Sequence, residues 1–247
     1  MAREKDAGEI FDVTLDYSQN PSEIKKFLEH YFTDKEIKGK VILDAGSRVG
    51  DYGAYLSEKG AKKVVGVDLS KRCIEKAQEK YKGNKKLEFH QGDITNLNKF
   101  KNNKFDIVIC VGTMPYLDKK QSERALKEFL RVTKPNGKIL LMFQKEKGVA
   151  VKTARFVANN LPAKLYLFLI DNFAFLSKPI IERMIGRKVN LDYIKYDVLW
   201  GLRGVRFGIP VDIPEKYRVE TVTSEQCSEK TTASYKITVP FTKTLNT

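Results

Sequence analysis

The sequence predicts an α/β protein on a doubly wound, mostly parallel seven-stranded sheet, with an antiparallel edge hairpin and a helical insertion before it. Three observations carry this expectation. From residue 41 onward, short apolar runs alternate with amphipathic segments, the pattern of strands exchanging with helices. The stretch "VILDAGSRVGDYGAYLSEKGAKKVVGVDLS", 41–70, reads as strand, glycine turn, helix and second strand, with an acid closing each strand. Near the C-terminus "YRVETVTS" and "ASYKITVPF" alternate apolar and polar residues, which suits a hairpin.

The elements follow in order. In "QNPSEIKKFLEHYF" Asn20 is placed as N-cap, Pro21 at the first helical position and Glu23 at the third, and Ile24, Phe27, Leu28 and Tyr31 share one face. This helix is expected over the mouth of the domain. "KVILDAG" is a strand buried on both faces, "DYGAYLSEKG" a helix closed by Gly60, and "KKVVGVDLS" a second buried strand. Ser70 is placed to cap the helix carrying Cys73, Ile74, Ala77 and Tyr81. "LEFHQGDI" and "FDIVICVGT" supply the third and fourth strands. "SERALKEFLRVT" is a helix with Ala125, Leu126, Phe129 and Leu130 inward, followed by the turn "KPNG" and the strand "KILLMF".

Residues 149–200 differ. "LPAKLYLFLIDNFAFLSKP" carries Lys164, Asp171 and Lys178 at seven-residue intervals and is otherwise nearly all apolar, so something must cover it.

At 247 residues, with 42% hydrophobic and 11% aromatic content, the chain can bury a sizeable core. Its 45 basic and 31 acidic residues give a net charge of +14, which favours anionic partners. Lysine pairs occur all along the chain, at 25–26, 62–63, 85–86 and 119–120, so charge alone does not favour nucleic acid over a solvated surface. Cys73, Cys110 and Cys227 have neither metal nor disulfide spacing, and no metal is expected. The charged start "MAREKDAGEIFD" is unlike a secretory signal, and no apolar run is long enough to span a membrane; a cytoplasmic protein is expected.

The glycine turn decides what kind of site is expected. A dinucleotide fingerprint would need glycines at 48 and 51, where Arg48 and Asp51 stand. A P-loop would need a Gly-Lys-Ser/Thr run, which is absent. What remains is D-x-G-x-x-x-G over Asp44, Gly46 and Gly50. An acid there would repel a diphosphate but suits a ligand that carries an ammonium group.

Over about residues 40–143 the chain resembles the class I, Rossmann-like, S-adenosylmethionine-dependent methyltransferases. The resemblance rests on Asp44, Gly46 and Gly50 in the first turn, Asp68 in "GVDLS", Asp93 in "QGDI", the strand end "CVGTMPYL" and the turn "KPNGKILLMF". It implies S-adenosylmethionine as cofactor, with S-adenosylhomocysteine as product. It also implies a binding site of Asp44, Gly46, Ser47, Arg48, Gly50, Asp68, Leu69, Asp93, Ile94, Val111 and Gly112. Within it Asp68 takes the ribose hydroxyls, Asp93 the adenine amino group, and Ile94 packs on the ring. Because this ligand has no diphosphate, Arg48 is expected with ordinary dihedrals and its guanidinium toward solvent, the alternative being a pair with the methionine carboxylate.

The resemblance divides the chain into a helical cap at 1–38, a cofactor-binding core at 39–148, a helical insertion or lid at 149–208 and an edge hairpin at 209–247, all in one domain. It assigns no catalytic residue, because the cofactor carries the leaving group and the protein positions the acceptor. A small acceptor is expected, apolar or aromatic if 149–200 is a lid, or anionic if Arg203 and Arg206 bind it; that same segment is the alternative homodimer surface. Tyr17 and Tyr116 are the other acceptor-side candidates. His30 and His90 read as structural, and Cys110 as core. "GTMPY" lacks the amide or acid of the amino-methylating N/D-P-P-Y/F pattern. Two other readings stay open: an RNA or protein methyltransferase, favoured if lysines surround the mouth, and a non-catalytic module on the same fold.

Overall fold

The computed structural model describes residues 21–144, 218–223 and 232–239, together with 172, 175, 176, 178–180 and 183 of a helix. The chain divides into two compact units: Met1–Asp16 with Glu146–Val205, and Tyr17–Lys145 with Arg206–Thr247. Tyr17, Arg203 and Arg206, Asn20 as an N-cap, and nearly all of the 149–208 insertion lie outside the described residues.

The second unit contains one sheet. Strands β1 (Val41–Ala45), β2 (Lys63–Asp68), β3 (Leu87–Gln91), β4 (Phe105–Cys110), β5 (Thr133–Gln144), β6 (Arg218–Thr223) and β7 (Thr232–Thr238) lie in the order β3-β2-β1-β4-β5-β7-β6. The first five are parallel; β7 runs antiparallel to β5 and pairs with β6 as the hairpin. The chain moves outward from β1 to β2 and β3, then crosses back to β4 on the other side of β1. That reversal opens a crevice beyond the carboxyl ends of β1 and β4, where open α/β sheets take their ligands.

Alternation along the strands gives two apolar faces. Leu43, Ala45, Val65, Val67, Val108 and Ile139 face α5 (Lys119–Val132) through Ala125, Leu126 and Phe129. Ile42, Val64, Ile107, Ile109 and Leu140 face α1 (Pro21–Tyr31), α2 (Asp34–Ile37) and α3 (Asp51–Glu58). Helix α4 (Lys71–Lys80) packs Ile74 and Ala77 on Phe89 of β3. The expectation that α1 sits over the mouth is corrected: Ile24, Leu28 and Tyr31 are buried against the flat of the sheet. The amphipathic stripe fixes which side of the helix is buried but not where on the sheet it packs.

Two further departures are local. Helix α5 starts before Ser122, capped by Asp118, whose carboxylate accepts the Gln121 N–H while Gln121 answers on the Asp118 N–H. "KPNG" lies inside β5 rather than before it. The register jumps from Phe105↔Thr133 to Ile107↔Lys138, so the turn is a bulge, with Asn136 at φ 61°.

Candidate active site

Four strand ends meet the crevice side by side, those of β3, β2, β1 and β4. Three interstrand spacings make the row about 14 Å long, suited to an extended ligand. The local sequence puts an acid at or just after three of these ends.

Asp44 closes the face of β1 that carries Ile42 and is 2% exposed. The Gly53 N–H in the first turn of α3 faces its carboxylate and favours the charged form. Its Oδ2 is buried with no hydrogen-bond partner among the described residues, as is Oγ of Ser47 in the same turn. Burial first, then the charge of Asp68, push the Asp44 carboxyl up to about 7. A buried acceptor without a donor, at the base of a crevice, fits a ligand that brings its own cation.

Asp68 closes β2 half-buried. Its Oδ2 accepts the Arg48 N–H at 2.8 Å and its Oδ1 the Ser70 N–H at 2.9 Å. Burial raises its pKa, opposed by these amides and by the nearby Arg48 guanidinium. One main-chain donor on each oxygen fixes the carboxylate and leaves a lone pair on each for a vicinal diol.

Asp93 is exposed after β3. Its Oδ1 accepts the Thr95 N–H at 2.7 Å and its Oδ2 the Thr95 hydroxyl at 2.8 Å, a turn that holds the side chain at the rim. Ile94 is 5% exposed and belongs to the core facing α5, whereas Leu69 is 40% exposed beside Asp68. The open apolar surface at this end of the row is therefore that of Leu69.

The glycine turn joins the two sides of the crevice. Gly46 and Ser47 donate their N–H groups to the Val67 carbonyl at 2.8 and 3.0 Å. Gly46 has φ 83°, and a Cβ there would lie 1.9 Å from Oγ1 of Thr113, just past the end of β4. Thr113 did not emerge from the sequence; its place opposite Gly46 depends on the β1–β4 pairing, which no local pattern carries. Gly50, also at φ 83°, is the N-cap of α3. Val111 and Gly112 follow β4, with Gly112 at φ 76°; Tyr116 closes a 3₁₀ turn at Met114–Tyr116 and is half-buried.

Arg48 corrects its expectation twice. Its φ is 49°, in the left-handed region rather than an ordinary one. Its Nε and Nη2 are buried, so the guanidinium turns inward rather than to solvent. The left-handed backbone at 48 bends the chain directly after the N–H that Asp68 holds.

The remaining candidates lie outside the row. His90 bonds Glu88 on the same strand and packs edge-to-face on Phe100. His30 packs edge-to-face on Tyr31. Cys110 is fully buried, and burial raises its thiol pKa beyond reach as a nucleophile. Among the described residues no group of three or more acids, cysteines and histidines is arranged to hold a metal, and no helix is long and apolar enough to cross a membrane.

Residues 42–137 match the family model described as "Methyltransferase domain". Over that stretch the chain is similar to methyltransferase domains, and its fold is that of the class I methyltransferases. Among curated proteins, residues of this chain are 35% identical over 104 residues to phosphoethanolamine N-methyltransferase 1 of Zea mays, 42% of this chain and 20% of that protein. They are 35% identical over 105 residues to the putative methyltransferase YqeM of Bacillus subtilis, 42% of this chain and 41% of that protein. The chain therefore spans less than half the length of these relatives. The methyltransferase fold recurs in magnesium protoporphyrin IX methyltransferase from Synechocystis, solved with bound SAH. That structure has TM-score 0.53 and 15% identity, over 92% of this chain and 91% of that one. Haemonchus contortus phosphoethanolamine N-methyltransferase 1, in complex with phosphoethanolamine and S-adenosylhomocysteine, shares it with TM-score 0.52 and 21% identity, over 59% of this chain and 33% of that one.

Proposed function

We propose that this methyltransferase binds S-adenosylmethionine along the row of strand ends and transfers its methyl group to a small-molecule acceptor. The observation that carries the reading is the sequence of three acids across β1, β2 and the end of β3, each in a different environment. Asp44 meets the ammonium of the amino-acid end. Asp68, aimed by the Arg48 and Ser70 amides, takes the ribose hydroxyls. Asp93 and the exposed Leu69 take the adenine edge and face. Gly46, Ser47, Gly50, Val111 and Gly112 shape the walls, and Ile94 supports the adenine end from the core.

When bound, the cofactor supplies an electrophilic methyl on a sulfonium with a built-in leaving group. The chain's own residues bind, orient and exclude water, and no general base is needed to make the methyl reactive.

The acids at this end also bear on the acceptor. Asp44, Asp68 and Asp93 stand along the crevice, which disfavours a phosphate-rich acceptor such as RNA there. A small apolar or aromatic acceptor is the reading favoured by the apolar sequence of the 149–200 segment. The relatives that methylate phosphoethanolamine match only over about a hundred residues of the cofactor-binding half, so they do not extend their acceptor to this chain.

Calorimetric titration with S-adenosylmethionine, with Asp68→Ala as control, tests the reading. Micromolar binding lost in the variant is the expected outcome. No binding by the wild-type chain would sink it and favour a non-catalytic module. With binding in hand, a screen of apolar, aromatic and anionic acceptors separates the acceptor classes.

A further inference from the structure

The described lysines are not spread evenly over the sheet unit. At the edge opposite the crevice, the loops entering β3, β2, β1 and β4 lie side by side, and each delivers exposed lysines. Lys85 and Lys86 precede β3, Lys62 precedes β2, Lys38 precedes β1, and Lys101 and Lys104 precede β4. Main-chain bonds hold these loops in register: Val64 N–H to the Lys86 carbonyl, Lys62 N–H to the Lys40 carbonyl and Gly39 N–H to the Gly60 carbonyl, each at 2.8 Å. The Val41 N–H donates to Oδ2 of Asp106 across β1 and β4, also at 2.8 Å.

Two acids of this edge are engaged elsewhere, while exposed Glu58 and Glu79, at the carboxyl ends of α3 and α4, form no ion pair with these lysines. Glu88 pairs with Lys63, and Asp106 with Lys134. Among the described residues none of the six exposed lysines forms an ion pair. Lys86 reaches the Ser57 carbonyl at 3.4 Å, and Lys104 lies over the rings of Phe100 and Phe105 at 4.5 and 5.4 Å. The result is a line of excess positive charge about 14 Å long across four strands, six lysines against Glu58 and Glu79. Exposed Asn102 stands among the lysines with its amide oxygen held by Arg131, so its NH2 is the uncharged donor of the row.

We propose that this edge docks the phosphate backbone of double-stranded nucleic acid, without reading its sequence. Lysine and asparagine are backbone-contacting groups, and a row of point charges matches a ridge of phosphates. None of the large apolar side chains that stand exposed among the described residues, Leu69, Phe175, Leu176 and Ile180, is in these loops. The edge therefore has nothing to insert into a bilayer and nothing on which to stack an unpaired base. The five residues of β1 set this edge about 17 Å from the crevice. The nucleic acid is thus a tether for the enzyme rather than its acceptor, and the docking does not depend on the methyl-transfer reading.

Fluorescence anisotropy of a labelled random-sequence DNA duplex with the full chain, between about 50 and 200 mM salt, tests the proposal. The wild type is expected to show a log–log salt slope of about −4.5 to −5.5, as for five or six lysines engaged. Changing Lys38, Lys62, Lys85 and Lys101 together to Gln reduces the slope by about 3 to 4 units, with a loss of at least about a hundredfold in affinity at low salt. The same four changed to Arg keep the binding, which separates charge from folding, and Lys119→Gln with Lys120→Gln leaves the slope unchanged. An unaltered slope in the four-Gln variant would overturn the proposal. So would binding to anionic phosphatidylglycerol vesicles but not to the duplex, which would make this a lipid-facing edge. A four-Gln variant that melts lower yet binds as wild type would likewise overturn it, assigning the lysines to the carboxyl ends of α3 and α4.

Discussion

The main-chain N–H of Arg48 donates to Oδ2 of Asp68 at 2.8 Å, and this bond accounts for the least expected residue of the glycine turn. The donor residue itself adopts φ 49°, a conformation that costs a non-glycine residue about 1–2 kcal/mol. The backbone at 48 thus does the aiming, and the buried guanidinium adds a favourable charge beside the same carboxylate.

Arg48→Gly separates those two contributions. Relief of about 1–2 kcal/mol of left-handed strain is offset by about 0.5–1 kcal/mol of added freedom in the unfolded chain and by loss of the side chain's contacts. Denaturant unfolding is expected to stay within about 1 kcal/mol of wild type. Affinity for S-adenosylmethionine falls less than it does in Asp68→Ala, because the amide donor is kept. A cost above about 3 kcal/mol would mean that the guanidinium, not the backbone, holds the turn.

Asp44 gives the fold a pH dependence with a definite sign. Its carboxyl titrates near 7 in the folded chain and near 3.8 when unfolded, so between those values the folded state holds the extra proton. Stability is greatest below about pH 4 as far as this group is concerned, and falls as pH rises to 7. The shift is on the order of 4 kcal/mol. Asp44→Asn removes that slope: it melts like wild type at pH 4 and higher than wild type at pH 8, while losing cofactor affinity. Asp68, also raised by burial, leaves a residual slope of the same sign. Equal melting temperatures for the two proteins at pH 8 would contradict the buried, cation-less carboxylate.

Residues whose neighbours are close in sequence were legible. The buried runs of β1, β2 and β4 and the Ser70 cap, with Oγ accepting the Cys73 N–H at 3.1 Å, form as expected because period and capping are local chemistry. The three acids could be read as a set because strand ends in a parallel sheet come together at one edge. The left-handed Arg48 and the steric pairing of Gly46 with Thr113 were not legible. Each depends on a contact across 20 residues or more, and arginine carries no mark of positive φ. The bulge in β5 looked like an ordinary turn, because "KPNG" serves either purpose and only the pairing with β4 decides.

Gly46→Ala tests the crevice wall. The new Cβ would fall 1.9 Å from Oγ1 and 2.7 Å from Cβ of Thr113, on a backbone at φ 83°. A loss of about 3 kcal/mol or more is expected in urea unfolding, from overlap and left-handed strain together. Adding Thr113→Gly removes the overlap and recovers all but about 1–2 kcal/mol, the backbone share. No recovery would mean that the β1 and β4 ends do not abut.

The last prediction concerns the support of the adenine end. Arg131 donates to Glu128, to the carbonyls of Leu97 and Phe100 and to Oδ1 of Asn102, all between 2.8 and 3.0 Å. Glu128 in turn accepts the Leu97 N–H at 2.6 Å. Helix α5 therefore holds the whole loop that begins at Asp93, without touching the crevice. Arg131→Met strands a part-buried carboxylate and two carbonyls and is expected to cost about 3–4 kcal/mol. Glu128→Gln costs less, about 1–2 kcal/mol, because an amide oxygen still accepts from Leu97. The double variant should be less destabilised than the sum by about 1 kcal/mol or more, since the stranded charge is gone. If the loop positions Asp93, Arg131→Met also weakens S-adenosylmethionine binding while leaving the affinity for methionine alone, which does not reach the adenine end, unchanged. Equal losses for both ligands would show a general loosening of the domain instead.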